Sequence, residues 1–250
     1  MKVSIITVCY NSEEYIDEAI KSVLIQTYKN IEYIIVDGES KDSTLEIINK
    51  YRDKISKIII EKDEGIYDAM NKGIRASTGD VIYFLNSDDR LFDKNVIIDI
   101  FKKFKENEKV SLLYGDVISE DRESGYSELW KFGNINKKNI IYEWLCHQGI
   151  FAKRYLFNKI WMFDTKYKIA ADYDWLLKIF LNNNFQVLYF DRIIARFRYG
   201  GMFIQHRELT DKERFQIRLK YYSKKIYYFR AFIYRVRRKI KNILKKYIIK

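Results

Sequence analysis

Two adjacent carboxylates, Asp88 and Asp89, directly follow an apolar strand that begins near Val81. Acidic groups at the end of a buried strand are costly unless a cation or hydrogen-bond donors lie beside them. A divalent metal ion that also holds a diphosphate is the best candidate, because hard cations share carboxylate and phosphate oxygens. The alternative is a turn in which the two side chains cap the next helix.

The elements that must position these acids form a repeating pattern of strands and helices. Near-continuous β-branched runs occupy residues 2–11 and 31–40, which is typical of strands buried on both faces of a parallel sheet. Apolar residues recur at helical spacing between these runs and again over residues 42–51. This alternation predicts a doubly wound α/β fold, in which ligands bind beyond the carboxyl ends of the strands. Asp37 ends the second strand, so we expect it to converge with the acidic pair on one crevice.

The segment over residues 61–80 lies between a predicted strand at 55–60 and the acidic strand. Gly65 permits a close backbone turn, and Ile66, Met70 and Ile74 place an apolar stripe on the helix that follows. Taken alone, this pattern also fits an ordinary loop and an amphipathic helix.

In combination, these motifs resemble the family 2 glycosyltransferases, which are inverting GT-A enzymes that use nucleotide-activated sugars. The resemblance is closest to bacterial enzymes that assemble O-antigen and capsule repeat units, and it covers roughly residues 1–200. It rests on the segments Ser4–Asn11, Gln26–Tyr28, Val36–Thr44, Asp63–Gly73, Gly79–Asp80, Phe84–Asp89 and Ala170–Trp175. The resemblance implies a GT-A fold, with a Rossmann-like, mostly parallel sheet flanked by helices.

The same resemblance implies a donor site at the strand ends. Asp37 would accept hydrogen bonds from the uracil or ribose of a nucleotide sugar, and Val8 and Tyr10 would line the nucleotide pocket. Asp88 would contact the ribose or the bound metal. Asp89 would coordinate Mg²⁺ or Mn²⁺, which neutralises the charge that develops on the phosphates. The alternatives are an Asx turn for Asp37 and core packing for Val8 and Tyr10.

Two further carboxylates, Asp172 and Asp174, begin an amphipathic segment. Residues two apart on a helix point in different directions, so only one of them should face the crevice. The resemblance selects Asp172 as the catalytic base that takes the proton of the acceptor, a contribution usually of ~10² to 10⁴ in rate. The alternative is that both residues cap the helix.

A histidine and several tryptophans are further candidates for the site. The resemblance places His147 close to the donor phosphates, although a histidine satisfied within the core is nearly as common. A tryptophan can stack on a sugar face, but most tryptophans pack in cores or at their edges. The sequence does not choose among Trp130, Trp144, Trp161 and Trp175.

The basic charge of the chain is concentrated at its carboxyl terminus. The formal net charge is +12, and residues 214–250 contain 14 Lys or Arg and no acidic residue. We predict a GT-A domain over residues 1–205, with a nucleotide-sugar-binding half (1–115) and an acceptor-side half (116–205), and a basic helical tail over 206–250. The apolar stripe of the tail consists of Phe229, Phe232, Ile233, Val236, Ile240, Ile243, Leu244 and Tyr247.

This tail pattern predicts a helix on an anionic membrane surface, where each basic residue contributes on the order of 1 kcal/mol. The alternatives are a helix docked on the catalytic domain and a nucleic-acid-binding arm. No nucleic-acid partner is expected, because an apolar stripe has no use on a phosphate backbone. Without a signal peptide or an uncharged stretch of ~18 residues, the chain is predicted to be cytoplasmic and peripheral to the inner face of the cell membrane. Two cysteines, Cys9 and Cys146, fit a reduced compartment.

The predicted function is metal-dependent, inverting transfer of a hexose or N-acetylhexosamine from a UDP-sugar to a saccharide acceptor, lipid-linked in particular, in cell-surface polysaccharide biosynthesis. A nucleotidyltransferase would also use paired acids and a metal, but it usually has a glycine-rich, basic loop after the first strand, and residues 8–13 offer neither. A non-catalytic carbohydrate-binding or scaffold protein on the same fold is a third interpretation. The intact acids Asp37, Asp88, Asp89 and Asp172 argue against it.

Overall fold

The computed structural model describes residues 1–143, 145–225, 227–229 and 236. The strands are β1 (Val3–Cys9), β2 (Ile31–Asp37), β3 (Lys57–Ile60), β4 (Val81–Phe84), β5 (Arg90–Leu91), β6 (Val110–Glu120), β7 (Ser127–Trp130), β8 (Ile150–Lys153) and β9 (Gln186–Arg198). The helices are α1 (Ile16–Leu24), α2 (Thr44–Asn49), α3 (Ile66–Ala76), α4 (Val96–Glu106), α5 (Tyr155–Ile160), α6 (Ala171–Leu181), α7 (Met202–Gln205) and α8 (Arg207–Tyr221). Short 3₁₀ turns occupy Arg52–Lys54 and His147–Gly149.

The strands form one sheet in the order β3-β2-β1-β4-β8-β6-β9-β5, with β7 paired to β6. β3, β2, β1 and β4 run parallel to one another. β8 runs antiparallel to both β4 and β6, whereas β6 and β9 are parallel. In the parallel half, Cys9 lies in register with Asp37, so the ends of β1 and β2 meet at the same edge of the sheet. The predicted α/β architecture is therefore present.

Both faces of the sheet are covered by helices. Along β1, Ile6 and Val8 point into a core formed with α3, α5, α6 and α8. Ile5 and Cys9 point into a second core formed with α1, α2 and α4. Because both sets of alternate residues are buried, β1 must be apolar at nearly every position, and this accounts for its continuous run in the sequence.

Two glycines allow α3 to approach β1 closely: one adopts a positive φ before the helix, and the other leaves room for a side chain of β1. Gly65, which precedes the helix, has a φ of 124°, a conformation that favours glycine. Its amide donates to Asp63 Oδ1 at 2.9 Å. Farther along the helix, Gly73 lies against Ile6, where a Cβ atom would collide with the isoleucine side chain. α3 thus begins at the site end of the sheet and descends along β1.

α8 belongs to the core, although it lies within the segment predicted to be the tail. Ile217 is fully buried in the same core as α3 and α6, and Thr210 and Glu213 are buried with it. The predicted boundary after residue 205 therefore falls before a helix that packs inside the folded unit. The sequence pattern does not separate these two cases, because a helix that covers the core and a helix that covers a membrane show the same apolar spacing.

Most of the predicted apolar stripe of the tail lies outside the described residues. Phe229 and Val236 are described, and they are 66% and 40% exposed. No helix among the described residues is long and apolar enough to cross a membrane.

Candidate active site

Asp37 is fully buried at the end of β2, and neighbouring groups of the protein already use its carboxylate. The backbone amide and the hydroxyl of Ser40 donate to it at 2.8 and 2.6 Å. The Cys9 thiol donates to it at 3.3 Å. The amide that donates to Asp37 lies three residues along the chain, so in this structure Asp37 fixes the turn after β2. Val8 is likewise buried in the core.

Tyr10 offers an exposed ring at the same edge, since 60% of its surface is accessible. Beside it lie Gly38 and Asp63: a Cβ atom built on Gly38 would be 3.3 Å from the Tyr10 ring and 2.5 Å from Asp63 Oδ2. Asp63 was not among the predicted site residues, although it belongs to the motif that precedes Gly65. The signal that could have identified it is the Asp-x-Gly spacing, which the Asp63–Gly65 hydrogen bond explains.

The acidic pair after β4 has protein partners on both sides. Asp89 is buried, and its carboxylate accepts from Gln148 Nε2 at 3.0 Å and from the Arg198 backbone amide at 3.1 Å. Burial, and then the neighbouring Asp88 carboxylate, raise the pKa of Asp89 well above its ordinary value. Asp88 accepts from Arg198 Nε at 3.0 Å. Arg198 is thus a positive group beside the pair, and it was not among the predicted site residues.

Asp88 and Asp89 could hold a divalent cation that retains several water ligands and also binds the phosphate oxygens of a substrate. Such ions need only one or two protein carboxylates. No group of three or more His, Cys, Asp or Glu side chains suited to a metal occurs in the part of the chain that the structure describes. Each Asp89 oxygen accepts one hydrogen bond from the protein, which leaves acceptor capacity for a cation.

Asp172 lies at the start of α6 and faces the crevice. The Tyr67 hydroxyl donates to Asp172 Oδ1 at 3.0 Å, and His147 Nδ1 lies 3.4 Å from Oδ2. Burial and the Asp172 charge raise the pKa of Tyr67 well above its ordinary value, so the tyrosine remains a neutral donor. The other ring nitrogen of His147 lies 3.3 Å from Asn86 Oδ1. His147 therefore bridges the loop that carries the acidic pair and the helix that carries Asp172.

Asp174 points away from the crevice into a cluster of cations. Lys220 Nζ lies 2.6 Å and Lys178 Nζ 3.0 Å from its carboxylate, and the Tyr221 hydroxyl donates to it at 3.1 Å. Burial alone would raise the pKa of Asp174, but the two lysines hold it below its ordinary value. The structure thus separates the two acids as the helical spacing predicted, with Asp172 toward the site.

The amino end of α6 is held by a buried acid from α8. The Glu213 carboxylate accepts the backbone amides of Lys168, Ile169 and Ala170 at 2.7, 3.0 and 3.0 Å. These amides precede the helix and have no earlier turn to bond to. Glu213 is a third residue that the sequence analysis did not identify, after Asp63 and Arg198, and it fixes the position from which Asp172 projects.

A narrow, mainly apolar pocket lies behind the Asp172–His147 contact. Its lining includes Ile82, Phe84, His147, Phe163, Asp172 and Trp175. The described tryptophans differ in access: Trp175 is buried with its ring stacked 4.5 Å from that of Phe157, whereas Trp161 is 81% exposed. Trp161 also has a φ of 75°, which is unusual for a bulky residue.

The sequence profile described as Glycosyl transferase family 2 matches residues 4–214, which include every candidate site residue described above. The chain belongs to this family. A PGL/p-HBAD biosynthesis glycosyltransferase of Mycobacterium tuberculosis (strain ATCC 25177 / H37Ra) is 31% identical over 215 residues, covering 84% of this chain and 81% of that protein. An uncharacterized glycosyltransferase of Rickettsia bellii (strain RML369-C) is 33% identical over 202 residues, covering 77% of this chain and 29% of that protein.

Solved glycosyltransferases confirm the GT-A-like fold. The crystal structure of S. aureus TarS in complex with UDP superposes with a TM-score of 0.65 at 26% identity, covering 79% of this chain and 60% of that chain. A mannosyltransferase from Pyrobaculum calidifontis, in complex with GDP-Man and Mn²⁺, superposes with a TM-score of 0.59 at 16% identity, covering 78% of this chain and 56% of that chain. The glycosyltransferase thus spans somewhat over half the length of each structure.

Proposed function

We propose that this glycosyltransferase moves a sugar from a UDP-sugar to a hydroxyl of a saccharide acceptor, with inversion at the anomeric carbon. The observation that carries the proposal is the arrangement of acids around the crevice. Asp88 and Asp89 follow β4, and Asp172 lies on a separate element, α6, which is linked to the acid loop through His147. An in-line displacement needs its base and its leaving-group site on opposite sides of the anomeric carbon, and two separate elements can provide this.

In the proposed reaction, Asp172 accepts the proton of the acceptor hydroxyl. The acceptor oxygen forms a bond to C1, and the bond from C1 to the diphosphate oxygen breaks with its electron pair leaving on the diphosphate. Tyr67 donates to one oxygen of Asp172 and orients the carboxylate. Asp88 and Asp89 would hold Mg²⁺ or Mn²⁺, which neutralises charge on the departing diphosphate.

The donor edge favours a nucleotide with a planar base. The exposed Tyr10 ring offers a stacking surface, and Asp63 beside it offers an acceptor for a base or ribose N–H or O–H group. TarS, which is 26% identical, has been solved in complex with UDP, and this supports uridine as the base. We propose a UDP-hexose or a UDP-N-acetylhexosamine as donor.

We propose a lipid-linked saccharide of a cell-surface polysaccharide, such as an O-antigen or capsule repeat unit, as the acceptor. Trp161 begins the loop that precedes α6, the helix that carries Asp172, and its exposed ring can stack on an acceptor sugar. Residues 222–250 contain 11 Lys or Arg and no acid, which suits an anionic membrane surface on the cytoplasmic side. The exposure of Phe229 and Val236 favours this surface over docking on the catalytic domain.

Thermal unfolding in a panel of nucleotide sugars, each with Mn²⁺ or with a chelator, tests the donor proposal. A donor at 100 times its dissociation constant should add ~2.7 kcal/mol to the stability of the folded protein. The stabilising donor is then incubated with lipid-linked saccharides, and the product is analysed for the anomeric configuration of the new bond. Stabilisation by no UDP-sugar in Mn²⁺, or a product that retains the donor configuration, would contradict the proposal.

A further inference from the structure

Arg198 contacts both members of the acidic pair, but in two different ways. Its side-chain Nε donates to Asp88 at 3.0 Å, whereas its backbone amide donates to Asp89 at 3.1 Å. The guanidinium also lies 4.7 Å from the centre of the Tyr15 ring, over its face. The side chain therefore has two partners at the mouth of the site, and the backbone is held separately.

The Asp88–Arg198 ion pair and a metal ion compete for the Asp88 carboxylate, whose Oδ2 accepts from Arg198 Nε. A divalent cation on Asp88 would lie within a few ångströms of the guanidinium, and like charges at that distance repel strongly where water is scarce. A carboxylate already neutralised by arginine is also a poorer ligand for a hard cation. Metal binding at Asp88 therefore requires that the Arg198 side chain move.

The surroundings of Arg198 allow the side chain to move while the strand stays in place. Arg198 is the last residue of β9, where it pairs with Glu120 of β6. Its side chain is part-exposed, and the chain then passes through Tyr199 to Gly200, which has a φ of 91°. The backbone contact to Asp89 does not depend on the side chain. A released guanidinium has the planar, forked donors that suit a diphosphate.

We propose that Arg198 is an internal counter-ion that keeps Asp88 from binding a metal until a nucleoside diphosphate arrives. The diphosphate draws the guanidinium away, Asp88 becomes free, and the metal then binds between the acids and the phosphates. Nucleotide and metal thus bind cooperatively, and the metal alone binds weakly. This inference rests on the proposed function, because it takes a nucleoside diphosphate as the ligand.

The chain offers a matched control two residues earlier on the same strand. Arg196 is also part-exposed and ion-paired, but its partner is Glu120, and its guanidinium lies 5.0 Å from the centre of the Phe92 ring. Arg196→Met removes one positive charge from the same strand without freeing Asp88. This variant therefore shows how much the loss of one positive charge changes the Mn²⁺ affinity when Asp88 keeps its arginine partner.

The test is calorimetric titration of the full chain with Mn²⁺, first without nucleotide and then with UDP. Without nucleotide, we expect Arg198→Met to bind Mn²⁺ at least ~10-fold more tightly than the wild type, given the strength of a close like-charge contact. UDP should raise the Mn²⁺ affinity of this variant much less than that of the wild type. Arg196→Met should match the wild type in both titrations, and Asp88→Asn combined with Arg198→Met should lose the gain.

Equal Mn²⁺ affinity of the wild type and Arg198→Met without nucleotide would overturn the inference. So would a gain that persists in the double variant, since the metal would then lie elsewhere. Arg198→Lys keeps the positive charge, so its Mn²⁺ affinity without nucleotide should stay as weak as that of the wild type. This variant tests the inference if Arg198→Met does not fold, and a tighter Mn²⁺ affinity would contradict it. Failure of the wild type to bind UDP at all would instead contradict the proposed function, because the first titration contains no nucleotide.

Discussion

Asp172 and Asp174 lie two residues apart on one helix, yet their surroundings give them different tasks. Asp172 has a tyrosine and a histidine as partners at the crevice, whereas Asp174 is enclosed by two lysines. We therefore expect Asp172→Asn to leave UDP affinity nearly unchanged and to lower kcat by at least ~10²-fold, because the amide cannot take the acceptor proton. Titration with UDP and initial rates at saturating donor provide the two measurements.

Asp164→Asn is the matched control, since Asp164 lies in the loop before α6 and pairs only with the nearby Lys166 among the ion pairs of the described residues. Its kcat should stay within about twofold of the wild type, as expected of an exposed ion pair. An Asp172→Asn variant with wild-type kcat would exclude this residue as the base.

Asp174→Asn should act on folding rather than on chemistry. It leaves Lys178 and Lys220 beside a buried neutral group, and breaking a buried pair typically costs ~3 to 5 kcal/mol. Because both lysines are partly exposed, we expect a loss of about 3 kcal/mol in the free energy of unfolding. Urea unfolding measures it, and the rate per folded molecule should remain close to that of the wild type. Loss of activity without loss of stability would contradict this assignment.

The sequence analysis addresses the candidate residues of the site more directly than their partners. The period of the helix separates Asp172 from Asp174, so that choice could be made locally. The turn at Asp37 is also local, because the Ser40 amide that donates to it lies only three residues away. The partner of Asp88 could not be predicted from the sequence, because Arg198 is 110 residues away in the chain and no periodic pattern marks a long-range ion pair.

At the scale of elements, α8 supports the helix that carries Asp172. Glu213→Ala leaves the amides of Lys168, Ile169 and Ala170 without their acceptor. Only the contact to the Ala170 amide is buried, and an unsatisfied buried donor costs ~1 to 3 kcal/mol. We expect a stability loss of about 2 to 3 kcal/mol and a lower kcat with an unchanged KM for the donor, because Asp172 shifts while the donor edge does not. Steady-state kinetics at varied donor and urea unfolding check both parts.

Glu208→Ala is the control on the same helix, because Glu208 is exposed. It should change neither kcat nor stability appreciably. Glu213→Gln keeps one acceptor oxygen, so its kcat should lie between those of Glu213→Ala and the wild type. A Glu213→Ala variant that raises the donor KM and spares kcat would show that α8 supports a different part of the site.

A buried acid ties the strands together at the edge opposite the site. Burial alone would raise the pKa of Glu32, but donors from Ser4 and Thr78 and the charge of Lys2 lower it to about 2. The ionised form is favoured by folding, so this stability is present above the ordinary pKa of a glutamate and is lost as the pH falls toward 2. Glu32→Gln should cost about 3 kcal/mol near neutral pH.

Urea unfolding of wild type and Glu32→Gln between pH 7 and pH 2.5 measures this effect. The difference between the two proteins should be constant down to about pH 5 and should shrink below it, because the wild-type glutamate becomes protonated as it unfolds. UDP affinity at neutral pH should not change. A difference that grows toward low pH would have the wrong sign for a lowered pKa.

Among the elements, the sequence pattern predicts the strands of the parallel half of the sheet, but it does not predict those of the mixed half. β1, β2 and β4 are buried on both faces, so their β-branched runs indicate strands directly. β5 has only two residues and β9 is half-buried along most of its length, so neither has a strong pattern. The pairing of β6 with β9 joins residues 75 to 78 positions apart in the chain, and that choice depends on tertiary packing.

At the scale of the whole molecule, two truncated proteins with different carboxyl ends distinguish the role of α8 from that of the residues after it. A chain that ends at residue 205 loses Ile217 and Glu213 from the core and should fail to fold cooperatively. A chain that ends at residue 229 keeps α8 and should fold and bind UDP with Mn²⁺. Circular dichroism during heating and UDP titration compare the two with the full chain.

The same pair tests the proposed membrane surface. The full chain should sediment with anionic vesicles, less so as salt rises, since surface charges are screened over ~10 Å at 0.1 M. The chain that ends at residue 229 should remain in solution, and neutral vesicles should capture neither. If both chains sediment equally, residues before 230 bind the vesicles, and the proposed role of the later residues would be wrong.

The distance along the chain between Asp88 and Arg198 also sets an order of events during synthesis. Chains grow at about 5 to 20 residues per second, so the 110 residues that separate this pair take roughly 5 to 20 s to appear. β1, β2 and β4 can meet within that interval, but the acids at their ends have no guanidinium yet. The acids at this edge of the sheet therefore stay without their arginine partner until most of the sheet has been synthesised.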